Sequence, residues 1–115
     1  MSEQETGNLF HWVDKHDKNR GWFLGPSSFI EIPWLQSENV EVKWNVKKRG
    51  WKHTQPQKHA KRTITILISG KVEIYFPSLD KKNVLSKQGD FSFHDSETMH
   101  ITTVLEDCTT ITIRY

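Results

Sequence analysis

The chain lacks most of the features that would announce a chemistry outright. It has one cysteine, Cys108, so no internal disulfide can form. That suits a reducing compartment. Cys108 sits beside Thr109 in a strand-like stretch and reads as a buried, unreactive thiol rather than a nucleophile. No apolar run approaches the roughly 20 residues needed to cross a bilayer. The N-terminal stretch opens on acids and holds no apolar core, so no signal peptide is expected. A cytoplasmic protein without membrane contact follows as the expectation. There is no Gly-x-Ser-x-Gly elbow and no glycine-rich phosphate cradle, which leaves serine hydrolase and nucleotide-binding chemistry without support. Acids are missing altogether between Val42 and Val72, where nine Lys or Arg stand. That run is either a solvated basic loop or a local positive field for an anionic ligand. Formal net charge is only +2, so no global electrostatic partner is implied.

What is present points to strands. A length of 115 residues fits one domain, and five Trp and six Phe offer large buried area per residue. Residues 1–8 are polar and expected to be disordered. Residues 9–39 read as an N-terminal arm with short strands that pack on the body, including an edge strand over 29–32 ended by Pro33. From residue 40 onward the alternation is regular. Val40, Val42, Trp44 and Val46 share one face, and Glu41, Lys43, Asn45 and Lys47 the other. Residues 57–69 carry bulk on both faces, with Thr63, Thr65 and Leu67 opposed to Ile64, Ile66 and Ile68, as in a sandwich or barrel. Ser69-Gly70 reads as a tight turn into a second strand ending at Phe76. Short strands are expected at 84–85, 91–93, 100–105 and 109–115. Helical periodicity appears nowhere over a useful length, and the fold class expected is all-β.

The Gly70 and Gly89 landmarks, with His59 and His100, make residues 40–115 resemble the cupin superfamily, a double-stranded β-helix or jelly-roll barrel in a single domain. Arg20-Gly21-Trp22-Phe23-Leu24 and Val40-Glu41-Val42-Lys43-Trp44 are similar to stretches of small bacterial single-domain cupins. The first cupin motif carries a glycine, a His-x-His pair, a glutamate and a closing glycine. With its close on Gly70, the histidine positions fall on Gln57 and His59 and the glutamate on Thr63. Gly50 lies one residue out of register with the opening glycine. The second motif begins at Gly89 and places its histidine on His100, with Asp95 and Glu97 at its proline and glycine positions. The resemblance therefore implies a metal set of His59, His100 and Gln57, for a divalent transition metal such as Fe, Mn, Ni, Cu or Zn. The plainer alternative is that His59 and His100 are metal-free pocket histidines. His53 and His94 are candidates for a third nitrogen.

Same-face reasoning lines the pocket with Val42, Trp44, Gln57, His59, Thr63, Thr65, Leu67, His100 and Thr102. Trp44 reads as a flat wall or as plain core packing. Such a lining suits a small polar or anionic ligand, guided by Lys58 or Arg62. Three function classes follow. One is a small-molecule-binding cupin. The second is an enzyme, either an atypical metal-dependent oxygenase or a metal-free isomerase or epimerase with His59 or His100 as general base. The third, a nucleic-acid module built on basic residues around Trp44 and Trp51, is disfavoured, because its aromatics would have to be exposed. The isoleucine face and the aromatic arm lead to the expectation of a homodimer.

Overall fold

A computed structural model describes residues 6–115 of the chain. Most of the expectation of disorder over 1–8 lies outside those residues, and Asn8 has a definite role. Its Oδ1 accepts the Phe10 N–H at 2.9 Å and caps a helix, α1, Leu9–Lys15. The helix is seven residues long, too short for its periodicity to show in sequence. It rests on the outside of the sheet through two edge-on aromatic contacts, Phe10 on Trp44 and Trp12 on Phe23, each at 5.2 Å.

Six strands follow: β1 Trp22–Leu24, β2 Glu41–Lys47, β3 Thr63–Phe76, β4 Lys81–Leu85, β5 Phe91–His94 and β6 Ile101–Arg114. They are all paired antiparallel, in the order β1-β2-β6-β3-β4, with β5 on the other half of β3. The expected edge strand over 29–32 is absent. The N–H groups of Phe29 and Ile30 both donate to the Pro26 carbonyl, so the segment closes as a turn.

Two boundaries differ from the sequence reading in an informative way. Ser69-Gly70 is not a hairpin turn but a bulge inside one continuous strand of 14 residues. Gly70 has φ +91°, and a Cβ there would collide with the Asp107 carbonyl oxygen of β6. Likewise 100–105 and 109–115 are one strand, β6, that runs through Glu106-Asp107 without a break. The two long strands pair with each other along most of their length and bend together at Gly70. Each therefore serves two sheet halves. One half carries β1, β2 and β5; the other carries β4 and single bridges from Lys52 and Gln57.

The interior has two characters. Leu67, Val72, Ile74, Phe76, Leu85, Val104 and Cys108 form the apolar core. Burial and the Asp107 carboxylate raise the Cys108 thiol pKa, which keeps it protonated and inert. The rest of the inward surface is polar, and it holds the candidate site.

Candidate functional site

Register decides which side chains look inward. Glu41 of β2 stands opposite Arg114 of β6, Arg114 opposite Thr63 of β3, and Thr63 opposite His94 of β5. These four form a row across the sheet on one face, since directly paired residues point the same way. The adjacent row is Lys43, Thr112, Thr65 and Ser92, with Trp22 of β1 facing Lys43. His94 is 6 % exposed, Thr63 4 % and Glu41 8 %, so this is the inside.

The sequence reading had β2 the other way round. Val42 and Trp44 pair with Ile113 and Ile111 on the outer face, and the inward residues are Glu41, Lys43 and Asn45. The reason is the interior itself. Both long strands alternate Thr inward with Ile outward, so the apolar face of this half is the outside of the barrel. Trp44 is covered by Phe10 of α1 rather than lining a pocket.

From the other half, His100 bridges Gln57, and His53 is tied to β6 twice. Its N–H donates to the Thr102 carbonyl at 3.1 Å, and its Nδ1 accepts the Thr102 N–H at 3.0 Å. Three imidazoles follow one another: His53 and His100 with ring centroids 5.7 Å apart, then His100 and His94 at 4.4 Å. Phe76 backs His94 at 5.6 Å. Burial lowers the pKa of His53 and His94 to about 4, with His100 the next contributor in each case. Burial also lowers His59 and His100. His59 keeps its place through Nδ1, which accepts the Lys61 N–H at 3.1 Å.

Of the expected pocket residues, Thr63, Thr65, Leu67 and Thr102 thus face inward with His100, and Leu67 is fully enclosed in the core. Gln57 is exposed, with its amide donating to the Gln55 carbonyl at 3.0 Å. Lys58 and Arg62 are surface residues paired with Glu97 and Asp95, at 3.5 and 3.4 Å. The interior cations are Lys43 and Arg114, which sequence reasoning missed. The signal was there: Thr110, Thr112 and Arg114 share the parity of Thr63 and Thr65, and that parity is the inward one.

The donor set does not fit a resident metal. Among the described residues no three His, Cys, Asp or Glu converge at ligating distance. A ligating imidazole donates its second N–H to an acceptor. His53 and His59 do the reverse, each accepting a backbone N–H at Nδ1, so the neutral ring carries its proton on Nε2 and has no lone pair there. Gln57 and Thr63 supply no charge at the remaining family positions.

Comparison with known proteins bears on the fold. A cupin superfamily protein from Desulfitobacterium hafniense aligns with TM-score 0.62 and 18 % identity over 69 % of each chain. KdgF from Halomonas sp. aligns at 0.60 and 25 % identity over 68 % of this chain and 69 % of its own. The DMSP lyase DddQ from Ruegeria pomeroyi aligns at 0.60 and 18 % identity, over 69 % of this chain and 39 % of its own. No protein-family model matches the chain, and no curated protein matches it in sequence. The fold is that of a small cupin, an all-β barrel of the jelly-roll kind. Among the described residues no helix is long and apolar enough to cross a membrane.

Proposed function

We propose that the protein binds a small polar or anionic molecule in the polar half of its barrel, among His59, His94, His100, Thr63 and Arg114. One observation carries this reading. The Thr63 hydroxyl, both ring nitrogens of His94 and Nε of Arg114 are buried in a single row with no hydrogen-bond partner among the described residues. Leaving such groups unpaired costs about 1–3 kcal/mol each, and a guest with both donors and acceptors offsets that cost. The cupin fold agrees with a pocket at this place, though a fold by itself names no activity. The test is a titration of tryptophan fluorescence with short hydroxy acids and sugars. Saturable quenching in the parent and its loss in His94→Leu are expected; no response to any compound overturns the reading.

A second reading is a metal-free isomerase or epimerase, and it is favoured by the state of His100. Its Nδ1 lies 3.5 Å from the Thr98 carbonyl, which only accepts. In that tautomer Nε2 holds a lone pair, and the lowered pKa keeps the ring neutral and able to take a proton. His59 is the weaker base, because its Nδ1 is already engaged. An oxygenase needs a metal shell, and with His53 and His59 accepting backbone N–H groups at Nδ1 only His94 and His100 keep a free ring nitrogen for one.

The outer face supports a homodimer. Phe91 is 67 % and Phe93 45 % exposed, beside Ile64, Ile66, Ile111 and Ile113 on the same side of the sheet. A second copy of the chain, packed face to face about a two-fold axis, would cover it. The buried, unpaired Cys108 suits a reducing compartment such as the cytoplasm.

A further inference from the structure

The β2 side of the interior carries charge that the barrel does not balance. Three cations, Lys43, Lys61 and Arg114, stand on this side with one buried carboxylate, Glu41. Glu41 is committed to two of them, at 3.3 Å from Lys61 Nζ and 4.0 Å from Arg114 Nη1. Among the described residues no carboxylate comes within ion-pair distance of Lys43. What holds Lys43 instead is the indole of Trp22, with Nζ 5.5 Å from the ring centroid. The Arg114 guanidinium lies over the same indole at 4.8 Å. An aromatic face orients a cation without neutralising it. Two positive heads are thus fixed on one buried platform; Lys43 has no carboxylate partner among the described residues, and Arg114 shares Glu41 with Lys61. The desolvation is real: burial is the first cause of the fall in the Lys43 pKa to about 8, followed by repulsion from Lys47, Arg114 and Arg20. Both heads remain reachable. Lys43 is half-buried, and the Arg114 side chain keeps 26 % of its surface.

From this arrangement we infer that Lys43 and Arg114, held on Trp22, form a carboxylate-recognition subsite, so that the ligand of the barrel is a small organic acid. The inference deepens the reading of the barrel as a binding site and rests on it. Arg114 offers a planar fork and Lys43 a point charge, which together match a carboxylate. Glu41 stands in the same row as Arg114 and already takes part of its charge, so we assign the subsite one further planar carboxylate rather than a bulkier, more highly charged group. The remainder of the acid lies toward Thr63, Thr65 and His94, whose hydroxyls and ring nitrogens suit hydroxyl groups.

Calorimetric titration of the full chain tests this with short hydroxycarboxylates, the amide of each acid, and inorganic phosphate. At least one acid is expected to bind, with its amide and phosphate bound at least about tenfold more weakly, the loss of one charge-assisted hydrogen bond. Lys43→Met should weaken the acid by a similar factor, and Lys43→Arg should restore it. An amide that binds as tightly as its acid, with no effect of Lys43→Met, overturns the subsite and leaves the pocket reading standing. Phosphate bound in preference to every acid also overturns it. Failure of all three probe classes overturns the subsite, and the pocket reading falls with it only if the sugars fail as well. The comparison of acid with amide uses the parent protein alone, so it holds even if a variant fails to fold.

Discussion

His94 and His100 meet inside the barrel with ring centroids 4.4 Å apart and planes inclined by 35°. They come from different strands, β5 and the approach to β6, and from opposite halves of the sheet. Two imidazoles at that distance are compatible only while at most one is charged, because like charges in a desolvated site repel strongly. The barrel is therefore built around neutral histidines.

Stability should accordingly fall in mild acid. The His94 pKa lies near 4 in the fold, below the usual value of 6.5. Between those values the unfolded chain takes up a proton that the folded chain refuses, so stability is complete above about 6.5 and is lost as pH falls toward 4. His94 alone accounts for about 3 kcal/mol at the lower end. His53 acts in the same direction, discounted for its partial exposure. Thermal melting of the parent and of His94→Gln across this range checks it: the gap between the two curves should change by that amount, and parallel curves would refute it.

Gly70→Ala should be among the most damaging single substitutions. A side chain there meets both a positive φ and the backbone of β6, and neither Asp107 nor Cys108 can retreat without breaking the pairing. A loss of about 3 kcal/mol or more is expected from strain and clash together. Gly50→Ala is the control, with a similar φ and open space around it, and should cost only about 1 kcal/mol. Chemical denaturation of the two variants separates these outcomes.

Protein prepared without an affinity tag should carry metal far below stoichiometric amounts, and His59→Ala and His100→Ala should leave that content unchanged. The prediction rests on the His59 tautomer, fixed by the Lys61 N–H. Elemental analysis showing stoichiometric metal lost in both variants would contradict it.

The homodimer should depend on the outer face of β5. Phe93→Lys places a charge in the middle of the apolar patch and should shift a dimer to monomer in equilibrium sedimentation while leaving far-UV circular dichroism intact. A parent that is already monomeric at micromolar concentration would remove the premise.

The comparison of sequence with structure is uneven for physical reasons. The strand character of 63–76 and 101–114 was plain, because the Thr and Ile alternation leaves no helical reading. Which face of β2 looks inward was not plain. Apolar side chains usually mark the interior, and here Thr63, Thr65, Thr110 and Thr112 occupy it while Ile64 and Ile66 face out. That single inversion moved Val42 and Trp44 into the expected pocket and left Lys43 and Arg114 out of it. The same register placed Thr63 and His100 inside, because the glycine landmarks fixed their parity independently of hydrophobicity. The continuity of β3 was hidden because Ser-Gly is as good a hairpin signal as it is a bulge. The helix at Leu9–Lys15 rests on a cap and two aromatic contacts, neither of which has a periodic signature.

Because β3 and β6 each run through both halves of the sheet, the two walls of the barrel share the same backbone and cannot swing apart like the lobes of a hinged clamp. The segments 53–62 and 95–99, joined where the Glu97 N–H donates to the His59 carbonyl at 2.7 Å, lie beside the histidines but outside those two strands. Under the binding reading proposed above, admission of a guest falls to those segments and not to any parting of the walls.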